Sequence, residues 1–392
     1  MERVCSIFSQ IMRMIPKGLF DDAVAKHEGE KHAKGMTCRS QLVSLMFGHL
    51  GHAKSLREIT QGLAASEGKL KHLGVDRAPT KSTLAYANEH RPWQIYKDLF
   101  ESMAVLCQSE ARDKKRRFKF KNPLVSLDST VIPLCLSMYD WASYTRTKGA
   151  VKLHLLLDNA TLLPQYAVLS KGKTADVTMA KKMSFAPGTI LVMDRGYENH
   201  KWWRRLTADK VYFVTRLKDN TKYVPVETIQ EGDGSSKILR DEIVVLDKEV
   251  NSPNAMRLRR IEVTSDDGES TIAFVTNHLK LAASTIAAIY RDRWKIELFF
   301  KAIKQSMRIK TFIGTSENAV QIQIWTALLA MMLVRLLQLK STWTWSLSNL
   351  FALLRHQLFV YRNLWLWLNE PLRPPFDDPP TDDPQMSLPL QA

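Results

Sequence analysis

The chain predicts an α/β fold built on a mixed sheet. Short apolar runs rich in β-branched residues recur between about residue 123 and residue 217 and end at polar or glycine residues. Helical periodicity lies on both sides of them, over residues 1–110, 289–307 and 316–368. Strands followed by helices in one pass give a sheet covered by helices. At 392 residues the chain is long enough to bury a large core and to hold two or three domains.

The first 110 residues read as helices. Ser55 and Glu58 have capping-box spacing and open a helix toward Ala65. Gly68 and Gly74 punctuate the next stretch. Pro79 and Thr80 then introduce a helix over about Lys81–Glu89, closed by His90-Arg91-Pro92. Two short helices with a glycine-bearing connection fit a helix-turn-helix variant or a plain bundle. In the first reading Lys81, Ser82, Thr83 and Tyr86 lie near DNA. Arg112–Lys121, RDKKRRFKFK, is either a solvated linker or a phosphate-contacting run that is already strand at Phe118 and Phe120.

Strands are expected near 123–133, over Lys152–Leu157 and over Gln165–Leu169, then a helix around Ala175–Met183. Between the first two strands, Tyr139–Lys148 (YDWASYTRTK) is aromatic and basic and suits a DNA groove. Lys152 and His154 alternate toward one strand face. Either is within reach of a site, with a structural role the favoured reading for the histidine. Asp128 interrupts PLVSLDSTVI and Asp194 ends TILVMDRGY. An acid after such runs is a strand-end turn former or part of a site, because charges are rarely buried unpaired. A helix with Trp202 and Trp203 comes next, then a strand over Val211–Leu217. Residues 220–280 mix β runs (Ile243–Leu246, Leu258–Val263, Thr271–Val275) with turn residues such as Gly232-Asp233-Gly234.

The segment Ile289–Met307 is expected to be one continuous helix. Tyr290, Arg293, Glu297, Lys301 and Lys304 fall within one narrow stripe at about 100° per residue. Ile289, Ile296, Phe300 and Ile303 form a second, apolar stripe that suits core packing. The plain alternative is a solvated charged face, with Glu297 and Lys301 an ordinary i,i+4 pair. Intramolecular pairing does not require so many cations around one acid, however. With Asp128 and Asp194, Glu297 supplies the three carboxylates that metal-assisted phosphate chemistry needs. Hard oxygen donors of this kind suit Mg²⁺.

Composition narrows the partners. The formal net charge of +16 favours polyanions and salt-sensitive binding. Residues 1–121 hold 22 Lys and Arg against 13 Asp and Glu, whereas 370–392 hold one Arg and five acids. Four cysteines without a CxxC pair argue against a zinc ribbon or a disulfide framework and fit a reducing cytoplasm. His27, His32 and Cys38 lack a fourth ligand and regular spacing, which disfavours a metal site. No signal peptide is evident. The apolar stretch Ile324–Val334 is too short to span a bilayer and reads as a buried helix. No Walker loop is present, so a nucleotide cofactor is not expected.

On the four positions Tyr290, Arg293, Glu297 and Lys304, together with Asp128 in LDST and Asp194 in DRGY, the chain resembles bacterial insertion-sequence DDE transposases with the Y-(2)-R-(3)-E-(6)-K signature. The resemblance spans about 123–310. It implies a ribonuclease-H-like core, shared with retroviral integrases, with Asp128, Asp194 and Glu297 as catalytic residues and metal ligands. Mg²⁺, with Mn²⁺ able to substitute, would serve DNA cleavage and strand transfer by a cut-and-paste route. Tyr290, Arg293, Lys301 and Lys304 would hold DNA phosphates. It further implies a β-rich insertion between the second and third acids, where 102 residues intervene.

The expected organisation is a helical N-terminal DNA-binding domain at 1–115, then a core at 116–315 interrupted by the insertion at about 218–280. A C-terminal helical region at 316–370 and a disordered, acidic, Pro-rich tail at 371–392 complete it. Double-stranded DNA is the expected partner, bound by a homodimer or higher oligomer, with no membrane partner and a cytoplasmic, nucleoid-associated location. Two other functions stay open on the residues: a structure-specific nuclease on the same core, and a catalytically silent DNA-binding regulator.

Overall fold

The computed structural model describes residues 5–31, 33–66, 68–111, 117–134, 141, 149–231, 237–265, 268, 270–306 and 314–373. Six helices come first: α1 (Ile7–Arg13), α2 (Lys17–Lys26), α3 (Cys38–Leu50), α4 (Leu56–Ala64), α5 (Lys81–His90) and α6 (Gln94–Glu110). The expected start signals operate. Ser55 caps α4 by accepting from the Glu58 N–H, and the Glu58 carboxylate takes the Lys54 N–H at 2.8 Å. Thr80 caps α5 in the same manner. Gly74 ends the turn before it in the left-handed region, at φ 75°.

The sheet begins with β1 (Leu124–Leu134), β2 (Gly149–Asp158) and β3 (Pro164–Lys171), an antiparallel meander. A short helix α7 (Asp176–Ala180) leads to β4 (Ile190–Met193), which runs parallel to β1. Helix α8 (His200–Ala208) then crosses to β5 (Tyr212–Arg216), parallel to β4. The order β3-β2-β1-β4-β5, with only the first two pairings antiparallel, is that of a ribonuclease-H-like core.

The insertion adds β6 (Tyr223–Glu231), β7 (Ile238–Leu246), β8 (Leu258–Thr264) and β9 (Thr271–Thr276). It is β-rich as expected. It extends the core sheet, because β9 pairs antiparallel with β5 and the order continues β9-β8-β7-β6. Two expectations need correction. β7 starts at Ile238, five residues before the expected run, and β6 has no counterpart among the expected strands.

Helices α9 (Ala283–Asp292), α10 (Trp294–Ser306), α11 (Glu317–Lys340), α12 (Leu347–Gln357) and α13 (Leu364–Asn369) complete the order. The continuous helix expected over 289–307 is therefore two helices that meet at Arg293. Hydrogen bonding tightens there from four residues to three: Arg293 N–H bonds Tyr290 O at 3.1 Å, and Ile296 N–H bonds Arg293 O at 3.0 Å. Beside the break, the buried Asp292 carboxylate holds Arg117 at 2.5 Å, Lys295 at 2.9 Å and Asn159 at 3.3 Å.

Apolar faces fix the layers. On one side of the sheet, Trp202, Trp203 and Leu206 of α8 pack on Leu127, Leu191, Met193 and Phe213. On the other side, α9 covers Ile190, Val192 and Val214. The largest core joins α1–α6, α10–α13 and one face of β1–β3. Helix α11 lies at its centre. By length and composition α11 could cross a membrane, but 89% of its most apolar window is buried in the fold. Residues 117–120 form bends rather than strand, with the Phe118 and Phe120 rings stacked at 5.2 Å. The aromatic and basic segment 139–148 lies outside the described residues except for Trp141. The Gly232-Asp233-Gly234 turn, His32 and residues 374–392 of the acidic tail lie outside them too.

Candidate active site

Two strand ends bring the first two acids together. β1 and β4 pair in parallel with Leu127 opposite Met193, so the next residues, Asp128 and Asp194, lie side by side about 4.8 Å apart along adjacent backbones. The apolar residues before them are buried and anchor both. The Asp128 carboxylate accepts the N–H of Ser129 at 2.7 Å. Asp194 caps a tight turn over Arg195–Tyr197 and accepts the N–H of Gly196 at 2.9 Å. A β-carbon on Gly196 would lie 3.0 Å from the Asp194 carboxylate, so a side chain there would press on that acid. From β5, the Thr215 hydroxyl donates to Asp194 O at 2.9 Å.

The third acid arrives on α10. Arg293, at the break between α9 and α10, donates to Asp128 at 2.9 Å and to Glu297 at 2.6 Å. One guanidinium thereby joins acids 169 positions apart in the chain. It is itself largely buried, with its side chain 13% exposed. Arg293 thus faces into the carboxylates, where the helical stripe suggests an outward cationic face. Tyr290 is half-buried against Phe274, with ring centroids 4.7 Å apart, and the Arg293 guanidinium lies 5.6 Å from its ring. Lys304 is half-buried further along α10, and Lys301 is exposed on the rim of a cleft toward α11 and α12.

The electrostatics show acids short of positive charge. Burial pushes the Asp128 carboxyl up to about 7, with the charges of Asp194 and Glu297 adding to the effect and Arg293 and the Ser129 N–H opposing it. Burial also raises Asp194, against the Gly196 N–H and Arg293. Burial opposes the charge on Arg293, yet Tyr290, Asp128 and Glu297 outweigh it and hold the guanidinium above the ordinary arginine range. Among the described residues no three His, Cys, Asp or Glu side chains are gathered closely enough to hold a metal ion. Arg293 stands between two of the expected ligands. The donor set nevertheless fits a hard divalent cation, since all three groups offer carboxylate oxygen and at least two are costly to ionise without further positive charge.

Sequence reading missed a fourth acid. Asp176, the first residue of α7, accepts the Ser129 hydroxyl at 2.5 Å and pairs with Lys152 at 3.3 Å. His154 is fully buried, bonded to Ser170 at 2.8 Å, with burial lowering its pKa to about 4. That matches the structural role favoured for it. Tyr197 is buried beside Asp128, Asp176 and Asp194. Burial first, then those charges, drives its hydroxyl well above the ordinary tyrosine value. Asp176 gives no signal in the sequence because an acid at a helix start is ordinary. In the N-terminal helices, Lys81, Ser82 and Tyr86 are exposed and Thr83 is half-buried on α5.

The Transposase DDE domain family matches residues 119–333, more than half of the chain. The chain belongs to this family. A second family, a domain of unknown function (DUF4372), matches residues 4–76 of this transposase. The Sinorhizobium fredii protein named transposase y4zB is 32% identical over 263 residues, covering 66% of this chain and 72% of the relative. The Geobacillus stearothermophilus transposase of insertion sequence element IS5377 is 29% identical, covering 65% of this chain and 66% of the relative. A solved piggyBac transposase synaptic complex with hairpin DNA aligns with 89% of this chain and 79% of that chain, at 10% identity and a TM-score of 0.45. This transposase is an enzyme of DNA cleavage and strand transfer, similar to those of bacterial insertion sequences. The family is generally dependent on divalent metal.

Proposed function

We propose that this transposase cuts and rejoins DNA at the ends of an insertion sequence by a cut-and-paste route. In this reading Asp128, Asp194 and Glu297 hold Mg²⁺, with Mn²⁺ able to serve in its place, and are the catalytic residues. Tyr290, Arg293, Lys301 and Lys304 hold DNA phosphates. The observation that carries it is the single guanidinium of Arg293 bonded to both Asp128 and Glu297, with Asp194 on the adjacent strand. Three acids scattered over the sequence have no structural need to meet in a half-buried spot, and their meeting costs stability.

Divalent ions bound there would activate the attacking oxygen and stabilise the leaving one. The chain's own residues do the rest. The parallel pairing of β1 and β4 fixes the spacing of Asp128 and Asp194. The Ser129 and Gly196 N–H groups orient their carboxylates. Arg293 keeps its charge and would exchange a carboxylate for a phosphate oxygen when DNA arrives. A planar guanidinium suits either partner. Two element ends joined at one target call for a homodimer or higher oligomer on DNA, working in the cytoplasm at the nucleoid.

The test is cleavage of a duplex carrying the element end, with Mg²⁺ and then Mn²⁺. Asp128→Asn, Asp194→Asn and Glu297→Gln should each leave the duplex uncut while still binding it. Pre-cut ends should be joined to target DNA by the wild type. Wild-type cutting and joining by any of the three variants would refute the assignment.

A further inference from the structure

We propose that the cleft between α10, α11 and α12 is a second seat for the DNA backbone, in which Arg335 and Lys301 take phosphate oxygens away from the scissile position. This rests on the reading of the protein as a DNA transposase and adds to it a binding surface outside the acidic site.

The cleft is about 460 Å³. Its floor is apolar, with Leu298, Phe299 and Leu347, and its charged lining among the described residues is Lys295, Lys301 and Arg335, with no Asp or Glu. Arg335 is half-buried, and both groups it donates to are neutral: Thr161 O at 2.8 Å and Gln338 Oε1 at 2.5 Å. Among the described residues no carboxylate pairs with it. Burial alone depresses its pKa, to about 10. A partly desolvated cation without a counter-charge is costly, and a bound anion removes that cost. Lys301 is exposed and has no ion-pair partner among the described residues. Lys295 differs, since Asp292 at 2.9 Å and Asn159 O at 3.3 Å hold it, and it bounds the cleft rather than serving it.

Placement gives the occupant. Glu297 turns from α10 toward Asp128, while Leu298, Ala302 and Gln305 turn from the same helix into the cleft. Lys301 stands between the two faces. A strand with its scissile phosphate at the acids therefore has a cationic path over α10 toward Arg335. An apolar peptide would leave Arg335 and Lys301 facing it without a counter-charge, whereas a phosphodiester backbone matches them in sign.

The experiment measures binding of the full chain to a duplex of arbitrary sequence about three helical turns long, across a salt series. Arg335→Gln keeps a polar group near Thr161 and Gln338, and Arg335→Lys keeps the charge. Arg335→Gln should weaken binding and lower the slope of log K against log salt by about one, with Arg335→Lys restoring most of both. Ser348→Glu places a negative charge in the lining without altering Arg335, so it serves even if Arg335→Gln folds poorly; it should weaken binding as well. An unchanged slope in Arg335→Gln together with unchanged affinity in Ser348→Glu overturns the proposal. Arg335-dependent binding of polyglutamate in place of the duplex would overturn it too. The broader reading fails differently, by the wild type leaving element ends uncut.

Discussion

Asp128 bears a large electrostatic penalty, and its surroundings make that penalty measurable. Its carboxyl is pushed up to about 7, above the ~3.9 of an exposed aspartate. Between about pH 4 and pH 7 the folded protein holds a proton that the unfolded chain has released. The stability that Asp128 contributes therefore falls as pH rises through that window and stays low above it. Asp128→Asn should raise the stability of the metal-free protein at pH 8, by an amount on the order of 1–3 kcal/mol, with the gap narrowing toward pH 5. Thermal melts at the two pH values check it; an equal or negative gap at pH 8 would show that Asp128 is not strained. A second prediction concerns Asp176, which holds Ser129 beside Asp128. Asp176→Ala removes the acceptor of the Ser129 hydroxyl and leaves the Lys152 ammonium with the Thr174 carbonyl and no counter-charge, at about 1–3 kcal/mol of stability. It should slow cleavage more than it weakens DNA binding, and Asp176→Asn should recover part of the rate. Full cleavage by the alanine variant would leave Asp176 a bystander. Asp128 and Asp194 are legible in the sequence because a charge in or at the end of an apolar β run is rare, and Glu297 because it stands alone among cations on one helical stripe. The role of Arg293 is not: spacing places it on a face, while only the fold shows that this face turns inward.

At the level of elements, sequence pattern succeeds where each strand or helix is covered by apolar neighbours and fails where charge is buried. β1, β2, β4 and β5 stand out as apolar runs because helices cover them on both faces. β7 is legible only from Ile243 because Arg240-Asp241-Glu242 looks like a solvated turn. Instead Asp241 and Glu242 are buried, each paired with an arginine of β8. Arg259 makes two bonds to Asp241, at 2.8 and 2.6 Å, and Arg260 bonds Glu242 at 2.8 Å. Such pairs are invisible to a hydrophobic pattern. The α9–α10 break is hidden for a related reason, since Arg293 keeps helical dihedrals (φ −56°, ψ −31°) while the hydrogen bonding tightens around it. Removing one partner of a buried pair strands the other charge. Asp241→Ala should cost about 3–5 kcal/mol. Asp241→Asn, which keeps an acceptor for Arg259, should cost less. Chemical denaturation of the two variants measures the difference, and a loss below about 1 kcal/mol in the alanine variant would mean that Arg259 finds another partner.

For the whole molecule, the sheet and the helices bear on whether the expected domains fold separately. Residues 1–115 read as a helical N-terminal domain of their own, yet α3, α5 and α6 share a core with α11. Trp325 of α11 stacks on Trp93 at 6.4 Å and leans on Phe100 at 5.5 Å. Thr326 bonds His49 at 2.9 Å, and Asn318 donates to the carbonyls of Asn88 and Arg91 at 2.9 and 2.7 Å. A fragment beginning at residue 117 would expose this face of α11 to water. Even four large apolar side chains re-exposed cost about 6–12 kcal/mol. A typical domain is stable by only about 5–15 kcal/mol, so the loss consumes most or all of what holds the fragment together. The fragment 117–373 should therefore be aggregated or molten, with weak near-ultraviolet circular dichroism and rapid amide exchange along α11. Supplying residues 1–116 as a separate chain should restore exchange protection there. A monomeric fragment that unfolds cooperatively on its own would instead mean that the catalytic core stands without the N-terminal helices, and that their packing on α11 serves DNA binding more than stability.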